Sequence, residues 1–155
     1  MAELSIRLAE PTESGLAFLF ERHLKLMHAS SPACSVHAKP AAALAGEETV
    51  FLVGDIAGQP ITMGAVQDLG DGHFEVKSMH VVDGYRGQGI ARTMLTALID
   101  AAIQKGAARM SLETGSQPVF APARALYSAF GFEPCPPFAD YTDDPNSYYM
   151  SKAIA

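Results

Sequence analysis

Alternating apolar and polar residues predict a series of β-strands in the first half of the chain. Residues 4–8 (LSIRL) alternate as in a strand with one buried face. Residues 50–53 form an apolar run typical of a buried strand, and residues 61–69 follow after a turn, which predicts a hairpin. A second turn at residues 70–72 leads into residues 73–82, so we expect a fourth strand that continues an antiparallel meander.

Apolar residues recur at helical spacing in three segments. The clearest is 89–105, where they form one stripe and Gly106 follows at the position of a C-terminal cap. Residues 16–27 predict an amphipathic helix, and residues 122–131 predict another that has proline in its first turn and glycine at its end. The Ala- and Pro-rich stretch before the hairpin predicts a loop with a short helix near residues 40–45.

Three further strands complete the predicted elements, at residues 109–114, 132–134 and 147–152. The chain has no internal repeat, low-complexity tract or linker. The order of elements therefore predicts one mixed α/β domain over residues 1–155.

Composition and charge narrow the class of protein. Hydrophobic residues make up 48% and charged residues 18% of the 155 residues, which is typical of a globular domain. The formal net charge of −6 argues against a nucleic-acid binder, because phosphate backbones are held by basic surfaces. No apolar segment approaches the ~20 residues that span a bilayer, and the N-terminus lacks the pattern of a secretory signal. We therefore expect a cytoplasmic protein without membrane or nucleic-acid partners.

Cysteines and histidines give no sign of a metal site. Cys34 and Cys135 are isolated, without a CxxC pair, and predict two reduced thiols. The five histidines are scattered and form no HExxH-like pair. We therefore predict no bound metal.

The glycine-rich turn before the helix at 89–105 is the strongest candidate for chemistry. Backbone N–H groups in a first helical turn lack partners within the helix, and the helix dipole adds positive charge there, so an anion fits. Gly87 and Gly89 allow a phosphate to approach the backbone, and Arg86 can add a charged contact. A purely structural turn remains an alternative, although it does not require three glycines in six residues.

Two nucleotide-binding motifs fit this turn poorly. A dinucleotide-binding fingerprint would need glycine or alanine where Arg92 stands and a repeating βαβ pattern, although Glu113 lies at a tolerable distance for the ribose contact. No GxxxxGK[ST] sequence occurs, which excludes a P-loop.

The motif Arg86-Gly87-Gln88-Gly89-Ile90-Ala91 fits the [Q/R]-x-x-G-x-[G/A] signature of the GNAT (Gcn5-related N-acetyltransferase) superfamily. Residues 74–81 (FEVKSMHV) resemble the fourth strand of that family, and residues 123–132 (ARALYSAFGF) resemble its A-x-x-L-Y-x-x-x-G-F segment. The pieces occur in the family's order and spacing. Shorter segments resemble a bacterial subgroup of small YsnE-like acetyltransferases, namely residues 112–115, 120–124 and 140–147.

This resemblance implies a fold, a cosubstrate and a reaction. The implied fold is a central, mostly antiparallel mixed sheet flanked by helices. The implied reaction moves an acetyl group from acetyl-CoA to a primary amine, by direct attack in a ternary complex. A small-molecule acceptor is expected first and a peptide or protein amine second, and a homodimer is the default assembly. The rival interpretation is a non-catalytic acyl-CoA-binding sensor, and a third is a structural interaction domain that binds no CoA.

The resemblance also assigns residues to cosubstrate binding. The fourth strand is expected to splay from the fifth, so that backbone groups of Met79 and Val81 bond the pantetheine arm and an N–H near His80 or Val81 polarises the thioester oxygen. The loop that binds pyrophosphate comprises Arg86, Gly87, Gln88, Gly89, Ile90 and Ala91. Phe120 departs from the pattern, because many members have a cofactor-holding asparagine there.

Candidate catalytic residues follow from the same resemblance. Tyr127 matches the family tyrosine that protonates the leaving thiolate, the alternative being a packing role. Glu75 is the candidate base, because a carboxylate on a central strand is costly to bury without purpose; the alternatives are an exposed edge position or a salt bridge with Lys77. Glu113 and a water chain are the other candidates for the base. Strand alternation would place His80 opposite Glu75, and so predicts a structural role for that histidine.

Overall fold

The computed structural model of this chain describes residues 3–30, 44, 46 and 48–154. Within these ranges lie three α-helices, α1 (Ala17–Ser30), α2 (Ile90–Gln104) and α3 (Ala121–Ala129). Seven strands accompany them, β1 (Leu4–Leu8), β2 (Thr49–Ile56), β3 (Gln59–Gly70), β4 (His73–Val81), β5 (Arg109–Gly115), β6 (Glu133–Pro134) and β7 (Ser147–Ala153). Single 3₁₀ turns precede α1 and α3, at Ser14–Leu16 and Pro118–Phe120.

All seven strands belong to one sheet, in the order β1-β2-β3-β4-β5-β7-β6. Every neighbouring pair is antiparallel except β4 and β5, which run parallel because the chain returns through α2 between them. The predicted fold class, a mostly antiparallel mixed sheet flanked by helices, is confirmed. None of the described helices is long and apolar enough to cross a membrane.

The helices cover both faces of this sheet. The larger core packs α2 and α3 against one face, with Met94, Leu95, Leu98 and Tyr127 among its buried members. A smaller core packs α1 against the other face, around the side chains Leu16, Leu19, Phe51, Val53, Met63 and Ala65. Gly64 allows α2 its close approach, because a Cβ there would lie 2.7 Å from Leu98 Cδ1.

A bulge in β4 changes which face each later residue occupies. Lys77 pairs with Ala65 while His80 pairs with Met63, so three steps along β4 match two along β3. Ser78 adopts φ 56° within this irregularity. Met79 consequently packs against the α2 face and His80 packs against α1. The prediction that the His80 and Glu75 side chains lie on opposite faces of the sheet is therefore wrong, because it assumed a regular strand.

The other predictions differ from the structure mainly at the ends of elements. Helix α2 is shorter by one residue at each end than the predicted 89–105, and β1 matches the predicted 4–8. Strand β2 extends well beyond the predicted 50–53, because its polar end pairs with the exposed strand β1. The short helix predicted at 40–45 lies outside the described residues, apart from Leu44.

Candidate active site

Strands β4 and β5 stop pairing with each other in the middle of the sheet. Their pairing ends at Val76 with Leu112, although β4 continues to Val81 and β5 to Gly115. A cleft of about 840 Å³ opens at this point and is lined by residues from α1, β4, β5, α3 and the turn before α2. We call it the central cleft. The splay expected between the fourth and fifth strands is present, and Met79, His80 and Val81 all line the cleft.

The glycine-rich turn forms one wall of the central cleft. Gly84, Gly87 and Gly89 all have φ between 79° and 90°, a conformation that glycine adopts without strain. The first helical bond of α2 runs from the Thr93 N–H to the Gly89 carbonyl. The amides of the three preceding residues therefore have no acceptor within the helix and mark its positive end.

Side chains of the turn contribute unequally. The lining residues include Arg86, Gly87, Gly89, Ile90 and Ala91, but not Gln88. The Arg86 guanidinium donates from Nε to the Val81 carbonyl at 3.2 Å and lies 3.5 Å from the Asp83 carboxylate. Gln88 is directed back into the turn, where its Nε2 donates to the Gly84 carbonyl at 3.3 Å.

Glu75 is buried in a polar cluster on the α1 face. Its side chain accepts a hydrogen bond from the Tyr141 hydroxyl at 2.6 Å and an ion-pair contact from Lys77 Nζ at 3.1 Å. Both contacts end on the same oxygen, Oε2. Lys77 also donates to the Tyr141 hydroxyl at 3.2 Å, which closes a triangle of three groups. Glu75 is only 3% exposed, so the structure contradicts the exposed-edge alternative and contains the Lys77 salt bridge.

Glu113 and Tyr127 line the same cleft, and the charge of Glu113 acts on Tyr127. Burial raises the pKa of Glu113 to about 7, and the nearby Glu75 carboxylate adds to the shift. Burial, followed by the charge of Glu113, raises the pKa of Tyr127 above its ordinary value. Tyr127 lies in α3, where its ring packs edge-on against Phe132 at 6.0 Å between centroids. Tyr127 therefore both packs in the core and lines the cleft.

His80 and His23 meet at the end of the central cleft next to α1. Their ring centroids are 5.3 Å apart in a T-shaped arrangement. Burial lowers the pKa of each ring to about 4. The His80 ring adds to the lowering of the His23 pKa, while the Arg86 and Arg22 charges add to that of the His80 pKa and Asp83 opposes it. Both imidazoles are accordingly neutral near pH 7.

The lining residues that sequence reasoning did not assign to the site include His23, Lys77 and Tyr141. Tyr141 belonged to a quoted subgroup segment, and that segment was the available signal for it. The acidic residues of the same loop are less involved: Asp140 and Asp143 are exposed, and no aspartate of this loop lines the cleft. Phe120 does line it, and its ring packs where a side chain on Gly115 would stand.

Comparison with known proteins places the chain in a family. The profile of the Acetyltransferase (GNAT) family matches residues 16–132. The uncharacterized N-acetyltransferase YsnE of Bacillus subtilis (strain 168) is 38% identical over 151 residues, which cover 97% of this chain and 100% of YsnE. This chain belongs to the GNAT family. It is accordingly an acyltransferase that uses an acyl-CoA cosubstrate.

Other GNAT proteins agree in sequence and in fold. The uncharacterized N-acetyltransferase YedL of Escherichia coli (strain K12) is 33% identical over 150 residues, covering 97% of this chain and 94% of YedL. A provisionally assigned acyl-CoA N-acyltransferase from Klebsiella pneumoniae superimposes with a TM-score of 0.82 at 25% identity and 100% coverage of both chains. The described residues therefore have the GNAT fold.

The raised pKa of Glu113 predicts a pH-dependent stability. The native state retains the Glu113 proton up to about pH 7, whereas an unfolded glutamate releases it near 4.5. Between these values the native state binds more protons, so the free energy of unfolding falls as the pH rises. We expect the free energy of unfolding of Glu113→Gln to exceed that of the wild type by about 1–3 kcal/mol near pH 8. The difference should shrink progressively toward pH 4.

Urea unfolding at both pH values measures this difference. Glu133→Gln, at an exposed carboxylate on β6, is the matched control and should follow the wild type. An equal gap at both pH values would show that the Glu113 carboxyl does not hold its proton more tightly in the folded protein.

Proposed function

We propose that this enzyme transfers an acetyl group from acetyl-CoA to a primary amine of a small molecule, by direct attack in a ternary complex. The observation that supports this proposal is the central cleft. It passes between the unpaired ends of β4 and β5 and meets the positive end of α2. Alignment of two substrates in such a cleft can supply roughly 7–11 kcal/mol of the barrier. The family implies both the acyl donor and an amine acceptor.

The cleft offers acetyl-CoA two kinds of contact. The turn before α2 would bind the pyrophosphate through the amides of Gly87, Gly89 and the first helical turn, with Arg86 alongside. Beyond Val76 the edge of β4 no longer pairs with β5, so its backbone groups can bond the pantetheine arm. Met79 and Val81 would supply these bonds, and the N–H of His80 or Val81 would polarise the thioester oxygen.

Two side chains are proposed for proton transfer. Glu75 would take a proton from the amine on Oε1, because Tyr141 and Lys77 both contact Oε2 and hold the carboxylate in place. The amine nitrogen then attacks the carbonyl carbon, the C–N bond forms, and the C–S bond breaks. Tyr127 would donate its hydroxyl proton to the departing sulfur.

A change in the turn tests where the cosubstrate binds. Gly89→Glu should weaken CoA binding about 100-fold or more, because it brings negative charge to the pyrophosphate. Gly106→Glu is the matched control: both glycines have positive φ, 79° and 92°, with open space around a Cβ, but Gly106 follows the opposite end of α2. Titration calorimetry with CoA should therefore separate them. Equal affinities in two folded variants would place the pyrophosphate elsewhere.

Thiol release from acetyl-CoA across a panel of small primary amines tests the reaction itself. In Tyr127→Phe we expect kcat to fall about 100-fold, with the KM for acetyl-CoA little changed, because the lost contact acts in the transition state. Tyr148→Phe, at a half-buried tyrosine outside the cleft, should behave like the wild type. Tight CoA binding without turnover on any amine would instead favour the acyl-CoA sensor.

The pH dependence of kcat/KM distinguishes the candidate bases. If Glu75 accepts the amine proton, Glu75→Gln loses activity at neutral pH and recovers much of it at high pH, where the free amine forms unaided. Glu113→Gln should keep the wild-type rise of kcat/KM with pH in that case. Loss of a rate increase near pH 7 in Glu113→Gln alone would assign the base to Glu113. A parallel loss at every pH would leave Glu75 a positioning role and favour a water chain.

A further inference from the structure

Tyr141 reaches the central cleft from the β6–β7 loop, which comprises residues 135–146. Its ring packs against Phe138 of the same loop at 5.1 Å and against Tyr149 of β7 at 5.5 Å between centroids. The Tyr149 hydroxyl in turn donates to the Thr142 carbonyl at 2.8 Å, which ties the loop to the strand next to Tyr141. These contacts all lie within the protein, so the ring is held in place without a substrate.

The hydroxyl of Tyr141 is directed at Glu75. A tyrosine hydroxyl has one proton to donate, and that of Tyr141 goes to Glu75 Oε2 at 2.6 Å. A bond of this length to an ionised acceptor belongs to the stronger class of hydrogen bonds. Burial, followed by the charge of Glu75 and this hydrogen bond, raises the pKa of Tyr141 above its ordinary value. The hydroxyl therefore keeps its proton and remains a donor.

The ion pair with Lys77 is not enough to fix the Glu75 carboxylate. A lysine ammonium is a compact charge with three rotatable donors, and it can pair with either carboxylate oxygen. The last torsion of a glutamate side chain is broad and gives little resistance to turning. Tyr141 adds a donor from a different element, and both donors meet on Oε2. The oxygen that remains for the amine is then Oε1.

We propose that Tyr141 is a positioning residue of this enzyme that acts through Glu75, by holding Oε2 so that Oε1 receives the amine proton. This inference rests on the role of Glu75 in the proposed function. Tyr141 keeps its own proton throughout, because the proton from nitrogen goes to Oε1 while the hydroxyl still donates to Oε2. The β6–β7 loop thus contributes to proton transfer through one hydroxyl.

A double-mutant cycle tests whether Tyr141 acts through Glu75. Tyr141→Phe keeps the packed ring and removes only the hydroxyl. With the panel amine that the wild type acetylates fastest, kcat/KM for the amine should fall about tenfold, as for one lost hydrogen bond. In the Glu75→Gln background the same change should cost less than about twofold, because no carboxylate is left to position. A residue that only supports the fold would cost the same factor in both backgrounds.

Two controls accompany the cycle. Affinity for CoA, measured by titration calorimetry, should stay within about twofold of the wild type in Tyr141→Phe, which shows that the variant is folded and binds the cosubstrate. Tyr148→Phe removes a hydroxyl from a half-buried tyrosine outside the cleft and should leave kcat/KM unchanged in both backgrounds.

The contact itself is measured without turnover. In protein labelled with ¹³C at tyrosine Cζ, the Tyr141 resonance is assigned by its absence in Tyr141→Phe. It should move in Glu75→Gln, because the charged acceptor of its hydroxyl is lost, while the Tyr148 resonance stays.

Three outcomes would overturn the proposal. Equal losses from Tyr141→Phe in the two backgrounds, or no loss in the wild-type background, would contradict the positioning role alone. A Tyr141 Cζ resonance that ignores Glu75→Gln would contradict the contact on which that role depends. Failure of the wild type to acetylate any panel amine would instead contradict the proposed function, and the role of Tyr141 with it.

Discussion

The functional architecture depends on the interrupted pairing between β4 and β5. Up to Val76 and Leu112 the two parallel strands are bonded to each other, and beyond that point β4 stays paired only with β3 and β5 only with β7. Unpaired N–H and C=O groups on a central strand need partners from solvent or a ligand. An extended ligand with amide groups meets this need, and the parallel crossover places the start of α2 directly beyond the end of β4. The proposed position of the acyl-CoA thus rests on the backbone before any side chain is considered.

The bulge in β4 determines which side chains this opening brings together. Without the positive φ of Ser78, alternation would turn His80 away from α1 and away from Glu75. A strained residue of this kind costs on the order of 1–3 kcal/mol and persists where the surrounding packing fixes it. Here Met79 anchors one side against α2 and His80 the other against His23. The same irregularity therefore brings His80 to the face of Glu75, beside the edge of β4 that no longer pairs with β5.

Local pattern predicted much of this protein because its strongest signals are local. Helix α2 and the glycine-rich turn stand out by periodicity and by glycine placement, and the order of elements led to the sheet. The contacts of Glu75 and His80 were not predictable in the same way. Tyr141 reaches Glu75 across 66 positions, and His23 meets His80 only because the bulge shifts the strand register. Contacts of this kind depend on how distant elements cross, which hydrophobic periodicity does not report.

The ionisation of Glu113 affects the proposed proton transfer from Tyr127 to the leaving sulfur. Burial makes Tyr127 a weaker acid than ordinary tyrosine, while a thiol ionises near ~8.5, so donation to the thiolate is uphill by about 1.4 kcal/mol per pKa unit. Part of the shift comes from the charge of Glu113, and that charge disappears when Glu113 is protonated. Because the pKa of Glu113 is about 7, its neutral form is well populated at physiological pH. A protonated Glu113 beside Tyr127 would thus ease the proposed proton transfer from Tyr127 to the sulfur.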